Sequence, residues 1–386
     1  MIRMLTAYTD EIDDVEKAVA DVTGMLRDGP PLLTYSLGIL SCYEEFVESG
    51  VVNALSDRLP FTVAGFVTMG TAVPGAMGQL QLSLTVLTSD DVRFFAAASS
   101  SLTEELDFPL KTAYRKAAAG LAAPPCMMFT FAPLLYQYAG DEYVEVLDKI
   151  SGGIPNFGAL SINHNIDFTS CYTIFNGEAM RDCAVLVLAS GGCSPDFIVT
   201  AVDISHMGNR SVVITGAQRN LLKEVDGIPL SRFLESMGLA DGGQTTKGVL
   251  SIPFIIEYGD SRPPVARVLF SITPEGYGVC SGVMPTGARL IFAIMDKQDV
   301  LNSTQSLLEE AAARQAEQQG MLIFSCASRN LALGVDMLAE IEVIGTILGN
   351  KPYLAAYSAG EICPVRGEDG RLTNRFHNNT LVTCLI

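Results

Sequence analysis

Toward the C-terminus, residues that can bind or react gather at the ends of apolar runs. Arg329 lies just beyond the run Met321 to Cys326. Tyr357, Ser358 and Glu361 complete or follow Tyr353-Leu354-Ala355-Ala356, and His377, Asn378, Asn379 and Thr380 open the last apolar run. If neighbouring strands bring these ends together, an Arg and a Glu flanked by hydroxyls and amides can hold both ends of a zwitterion, such as an amino acid, by charge-assisted hydrogen bonds. The candidate ligand-binding set is therefore Arg329, Tyr357, Ser358, Glu361, Asn378, Thr380 and Cys326. A plainer reading stands beside it: Arg329 and Glu361 pair with each other and cap the loop, and Gly360 serves a tight turn.

Other chemistries leave weaker marks. Cys326 has a cation three residues on, in Ala327-Ser328-Arg329, and a cationic neighbour lowers a thiol pKa. No base is identifiable by spacing, so an enzyme using Cys326 as nucleophile is a second alternative. The three histidines, His164, His206 and His377, share no ligand spacing with one another or with cysteines and carboxylates. No metal pattern results, although haem needs only one axial histidine. No nucleophile elbow, Walker loop or dinucleotide fingerprint occurs in a strand–helix context.

The elements that must position the site recur. Helical spacing of Val15, Ala18, Val19, Val22 and Leu26 predicts a first helix capped by Asp10 or Asp13. A strand over Leu32 to Leu37 follows, then a helix carrying Phe46, Val47, Val51 and Leu55, a strand over Phe61 to Val67, a Pro/Gly loop, and a strand over Leu80 to Thr88. The same order returns as Cys126 to Phe131, a helix with Tyr143, Val146, Leu147 and Ile150, Ile154 to Ser161, and strands at Cys171 to Phe175 and Cys183 to Leu188. It returns again as Met321 to Cys326, a helix with Met337, Ile341, Ile344 and Leu348, Tyr353 to Tyr357, a polar loop and the final strand. One strand–helix–strand–loop–strand unit is thus written three times, in separate sheets. Only the third copy carries an Arg, a Glu and an amide–hydroxyl cluster at its strand ends. Different material lies between the second and third copies: strands at Ser211 to Ala217, Leu222 to Asp226, Val249 to Ile256, Val265 to Ile272, Tyr277 to Val283 and Arg289 to Met295, a short helix after Ile228-Pro229, and a helix over Ser303 to Gln318.

A chain of 386 residues accommodates two domains. The glycine- and proline-rich stretch 191–195 and Met207-Gly208-Asn209 place the boundary near 208, giving domains 1–208 and 209–386. The fold class is α/β, with mixed or largely antiparallel sheets covered by helices. Hydrophobic residues make up 48% and charged residues 18%, which argues against disorder. The net charge of −18 repels phosphate backbones and anionic lipid, and no basic run reverses it, so nucleic acid is excluded as a partner. No window is apolar over a membrane-spanning length, and the N-terminus turns acidic too early for a secretory signal. Nine scattered cysteines without a Cys-x-x-Cys read as reduced, buried thiols of a cytoplasmic protein.

The runs Phe324-Ser325-Cys326-Ala327-Ser328-Arg329, Tyr357-Ser358-Ala359-Gly360-Glu361-Ile362-Cys363-Pro364 and His377-Asn378-Asn379-Thr380 together resemble the C-terminal half of the FIST sensory-domain family. So does Ile214-Thr215-Gly216-Ala217 with Val225-Asp226-Gly227-Ile228-Pro229. Val63 to Gly70 and Pro155-Asn156-Phe157-Gly158 are similar to the family's N-terminal domain. Cys363 and Val365 around the proline, and Ala327-Ser328 before the Arg, depart mildly from the family's pattern. The resemblance implies a non-catalytic sensor of a small ligand, with amino acids proposed for the family. Some relatives are described as haem-binding nitric-oxide sensors, which makes haem the alternative cofactor to none. Relatives often carry fused signalling domains. None is expected here, so the partners expected are a small polar ligand, a separate signalling protein such as a kinase, and further copies of the chain.

Overall fold

The computed structural model describes the chain except residues 167–168, 202–210, 240–252, 260–263, 294, 315–318 and 368. His206, the boundary residues near 208, part of the expected strand from Val249 and the end of the helix toward Gln318 lie outside the described residues.

The first unit contains β1 (Arg3–Thr9), α1 (Val15–Asp28), β2 (Tyr35–Cys42), α2 (Glu45–Glu48), α3 (Val51–Arg58), β3 (Thr62–Val67), β4 (Thr71–Val73), β5 (Ala76–Gly78), β6 (Leu82–Ser89) and β7 (Arg93–Ala98). The second contains α4 (Asp107–Ala119), β8 (Met127–Ala132), α5 (Gly140–Ser151), β9 (Asn156–Leu160), β10 (Thr173–Phe175), β11 (Glu178–Met180), β12 (Val185–Ser190) and β13 (Asp196–Ala201). The intervening material forms β14 (Ser211–Gln218), β15 (Leu221–Val225), β16 (Ile228–Pro229), α6 (Leu230–Ser236), β17 (Phe254–Glu257), β18 (Val265–Arg267), β19 (Leu269–Ile272), β20 (Gly278–Cys280), β21 (Arg289–Phe292) and α7 (Lys297–Arg314). The third unit contains β22 (Met321–Cys326), α8 (Ala327–Leu333), α9 (Ala339–Leu348), β23 (Tyr353–Ser358), β24 (Glu361–Arg366), β25 (Leu372–His377) and β26 (Thr380–Leu385).

Three six-stranded sheets share one topology. Their orders are β1-β6-β2-β3-β10-β11, β7-β12-β8-β9-β24-β25 and β13-β26-β22-β23-β4-β5. At the heart of each lies a parallel pair (β2 and β3, β8 and β9, β22 and β23) joined by a helical crossover, as parallel pairing requires. The units do not keep to separate sheets, as the repeat alone implied. The hairpin after β3 crosses to β23, the strands after β9 cross to β3, and the hairpin after β23 crosses to β9. Likewise β7 leaves for β12 and β13 leaves for β26, while β1 completes the cycle on β6. The result is a pseudo-threefold arrangement in which every sheet contains strands of at least two units.

The central strands are buried along their whole length, which explains their unbroken apolar runs. Their inner faces meet in one core. Phe66, Phe131, Phe157 and Phe324 come from all three sheets, with Phe66 stacked on Phe131 at 5.4 Å and Phe157 on Phe324 at 5.0 Å. Helices α1 and α3 cover the outside of the first sheet, and α4, α5, α7 and α9 cover the other two. The remaining strands form an eight-stranded sheet packed on α6.

Several local expectations shift. Asp14, rather than Asp10 or Asp13, caps α1 by accepting the Lys17 N–H at 3.0 Å. The expected second helix is two helices, broken where Gly50 takes φ 85°. The C-terminal polar loop is the hairpin β24–β25. His377 ends β25, and Asn378-Asn379 turns the chain with Asn379 at φ 55° before Thr380 opens β26.

The eight-stranded sheet is clamped to the three-sheet body by Arg267. Its side chain is buried, and Nη2 donates to Asp141 Oδ1 at 2.6 Å. Asp141 Oδ2 in turn accepts the Val283 N–H at 2.7 Å, while Arg267 Nη1 donates to the carbonyls of Ala266 and Phe376. Removing one partner strands a buried charge. Asp141→Ala is expected to cost about 3 kcal/mol in urea unfolding, with Asp141→Asn costing less; equal stability of all three proteins would show that the clamp carries no load.

Candidate functional site

The three parallel pairs end at a common place. Ile162 N–H and Ser161 Oγ, just past β9, donate to Val67 O at the end of β3, each at 3.0 Å. Ala359 N–H, just past β23, donates to Leu160 O at 2.8 Å. Thr68 Oγ1, just past β3, donates to Tyr357 O at 2.7 Å. A cyclic set of bonds, second unit to first, third to second and first to third, thus ties the strand ends.

On the third unit's side, Cys326 ends β22 and occupies the cap position of α8. Register opposes Cys326 to Ser358, and β26 begins beside them at Thr380. Glu361 is fully buried, with Ser358 Oγ 2.5 Å from one of its oxygens and Thr380 Oγ1 2.7 Å from the other. Burial pushes its carboxyl up to about 8, against the pull of these two hydroxyls. Ser328 Oγ donates to Asn379 Oδ1 at 2.5 Å and lies 3.1 Å from Cys326 Sγ. Asn379 Nδ2 is buried without a partner. Asn378 accepts from Ser281 Oγ at 2.6 Å, which ties this turn to the eight-stranded sheet.

Arg329 belongs to a different network. It points between α7 and α9, fully buried, with Nε and Nη2 donating to Glu340 Oε1 at 2.9 and 2.7 Å. Nη2 also reaches Val300 O and Thr304 Oγ1, and Nη1 has no partner. Ser325 Oγ donates to the other Glu340 oxygen at 2.7 Å. The Tyr357 hydroxyl donates to Met337 O at 3.4 Å, and burial, then nearby Glu340, raises its pKa well above the usual phenol. The structure therefore brings Cys326, Ser358, Glu361 and Thr380 together. Arg329 and Tyr357 lie around Glu340, and Arg329 and Glu361 do not pair.

Sequence reading passed over Glu340, Ser328 and Asn379 in their roles. Glu340 left a signal: it stands four residues before Ile344, on the apolar stripe of α9, and a carboxylate there needs a buried counter-charge.

A cavity of about 20 Å³ opens beside Cys326 and Ser328, walled by Ala359, Ile162, Val268 and Phe270. Burial and then Glu361 push the Cys326 thiol up to about 12. That is the environment of an inert thiol rather than of a nucleophile. For haem, the ring of buried His377 is 3.1 Å from Cys363 O through Nε2 and held neutral, its pKa lowered by burial to about 4. His164 keeps a buried Nδ1 without a partner, and neither ring lines the cavity beside Cys326. His377 does not fit an axial ligand. Among the described residues no group of three or more His, Cys, Asp or Glu is placed to hold a metal ion, and no helix is long and apolar enough to cross a membrane.

The FIST N domain matches residues 36–228 and the FIST C domain residues 229–364, so the chain belongs to the FIST family of small-ligand sensory domains in signalling. No curated protein matches the chain. Among solved structures, a cyanuric acid hydrolase from A. caulinodans aligns over 100% of this chain and 99% of its own, with 11% identity and a TM-score of 0.33.

Two predictions follow from the buried charges. Glu340→Gln leaves Arg329 without its counter-charge and is expected to lower stability by about 3–5 kcal/mol in denaturant unfolding. Glu361, raised from 4.5 to about 8, makes the native state lose stability as pH rises between those values; His377, lowered from 6.5 to about 4, makes it lose stability as pH falls between those values. The two slopes oppose between 4.5 and 6.5, and Glu361 acts without His377 from 6.5 to about 8. Wild-type stability relative to Glu361→Gln should therefore fall over that upper range, and parallel profiles would contradict a buried, proton-binding Glu361.

Proposed function

We propose that this chain is a non-catalytic receptor module, cytoplasmic, that binds a small polar, amino-acid-like metabolite and relays occupancy to a separate signalling protein. The ligand enters at the cavity beside Cys326. The observation that carries this reading is the polar group reached from that cavity: Cys326 and Ser328 line it, and Asn379, which accepts from Ser328, has its buried Nδ2 left without an acceptor. An orphaned buried donor costs about 1–3 kcal/mol, and a ligand carbonyl or carboxylate would satisfy it. Ser358, Glu361 and Thr380 form the second layer behind the thiol, and Arg329 and Tyr357 hold α8 and α9 in place around it.

Size sets the mechanism. A cavity of about 20 Å³ accommodates about one water, whereas ligand sites run to about 300 Å³ and more. An amino acid can bind only if the Ile162–Ile166 loop and Phe270 of β19 move outward. Those walls belong to the second unit and to the eight-stranded sheet, so binding shifts one body against the other. That displacement is the differential state a partner could read.

A thermal-shift screen of amino acids and related metabolites tests this directly. At least one ligand should raise the wild-type midpoint, by the linkage of binding to folding, and Ser328→Ala should abolish or greatly weaken the shift. If nothing in the panel stabilises the native protein, or the variant responds as strongly as wild type, the site is wrongly placed.

A further inference from the structure

The second sheet is hollow at the end where β8 begins, away from the strand ends beside Cys326. Register sets Phe94 of β7, Ala189 of β12 and Met127 of β8 in one row on the inner face, and Phe129 lies one row deeper. A small residue thus stands between two large ones. The first sheet shows the alternative: Leu37 of β2 is opposed to Leu87 of β6 as Met127 is to Ala189, so there a leucine takes the place of the alanine. Ile2, ahead of β1, and Ile386, behind β26, close the sides. Beyond β12 the chain turns at Gly191, whose φ of 123° side-chain-bearing residues rarely adopt, and Cys193, Ser194 and Pro195 then form part of the rim. The result is a cavity of about 310 Å³, with buried Met127, Phe129 and Ala189 as its floor and exposed Ser194 and Gln319 at its mouth. Among the described residues, no charged side chain lines it.

We propose that this cavity is a second binding site, for an uncharged aromatic molecule about the size of indole. Its volume lies at the lower bound of ligand sites, about 300 Å³, and above the about 150 Å³ of an apolar cavity that takes up benzene. Phe94 and Phe129 offer rings and Met127 a thioether, and each of these favours an aromatic guest over an alkyl one of equal area. A charged guest would lie among apolar walls without a counter-ion, so the cavity selects against charge. The Ser194 hydroxyl and the Gln319 amide at the mouth suit one neutral polar group on the guest, such as a ring N–H. This chemistry is opposite to that of the amino-acid-like ligand beside Cys326, and the two cavities share no lining residue.

The test titrates the full chain with indole, and with indole-3-carboxylate as the same ring bearing a charge. Indole at about ten times its Kd should raise the thermal midpoint by about 2 °C, and the carboxylate should bind at least about tenfold more weakly. With methyl-labelled methionine, the Met127 signal should move on adding indole, and that of Met284, in the core of the eight-stranded sheet, should not. Ala189→Leu gives the row the side chain that the first sheet already has; it should keep or raise the midpoint without indole and lose the response to indole. Cys193→Phe, which fills the cavity from the rim, should lose the response too, and it carries the test if Ala189→Leu does not fold. No midpoint shift with indole, an unmoved Met127 signal, equal binding of the carboxylate, or a folded filled variant that responds as wild type does would each overturn the site. None of these readouts involves the cavity beside Cys326, so their outcome is separate from that of the amino-acid screen.

Discussion

Three parallel strand pairs end on one axis, and their last carbonyls must find donors there. A buried carbonyl without a partner is costly. Thr68 and Ser161 N–H serve Cys42 O and Ala132 O within their own units, but the carbonyls at the ends of β3, β9 and β23 are served from another unit. Each unit therefore borrows: Ile162 serves Val67, Ala359 serves Leu160 and Thr68 serves Tyr357. Once the chain has made such a bond it stands over the neighbouring sheet, and the strands that follow pair there rather than at home. The exchange of β4–β5, β10–β11 and β24–β25 follows from that constraint. It also means that the FIST N and FIST C segments, which meet between residues 228 and 229, are woven into common sheets.

The buried charges divide according to what each can reach. Glu340 meets Arg329, Thr304 and Ser325, and the pair is fully desolvated, as such pairs tolerate only when their remaining atoms are largely hydrogen bonded. Glu361 has hydroxyls but no cation in contact, so desolvation dominates and favours its neutral form near neutrality. One carboxyl is thus a fixed counter-ion and the other an acid held in a dry place. The first locks α7, α8 and α9 together; the second leaves the strand end beside Cys326 weakly polar and sensitive to what is placed against it.

Much of this was readable in the sequence, for physical reasons that differ from element to element. Fully buried strands such as β8, β22 and β23 announce themselves as short apolar runs between turn residues. Helices α1, α5 and α9 show their buried stripe directly. The convergence of Cys326, Ser358, Glu361 and Thr380 followed from treating repeated units as neighbouring strand ends. Three things were not legible. Exchange of strands between units depends on non-local pairing, which leaves no local pattern. The hairpin β24–β25 was hidden because its tip is polar and its strands carry Pro364, Asn374 and Arg375. The partner of Arg329 was misassigned because Glu361 was nearer to the other polar residues along the chain, whereas Glu340, on a helix face, was nearer in space.

The pseudo-symmetry supplies its own control for the site. Pairing register makes Cys42, Ala132 and Cys326 equivalent at the ends of β2, β8 and β22, opposite Val67, Leu160 and Ser358. It makes Gly70, Thr173 and Glu361 equivalent at the start of the exchanged segment, since Thr71, Ile174 and Ile362 pair with Ala356, Gly65 and Gly158. At the start of the third antiparallel strand the equivalents are Leu82, Ala184 and Thr380, as the register of β6, β12 and β26 against their neighbours requires. Two copies fill these places with mostly apolar or small residues, which is all that closing the axis demands. The third fills them with a thiol, two hydroxyls and a carboxyl. Closing the axis is met by the first kind of filling, and this difference between the copies is what favours the third as the proposed site, with Cys326 alone of the four on the wall of the cavity.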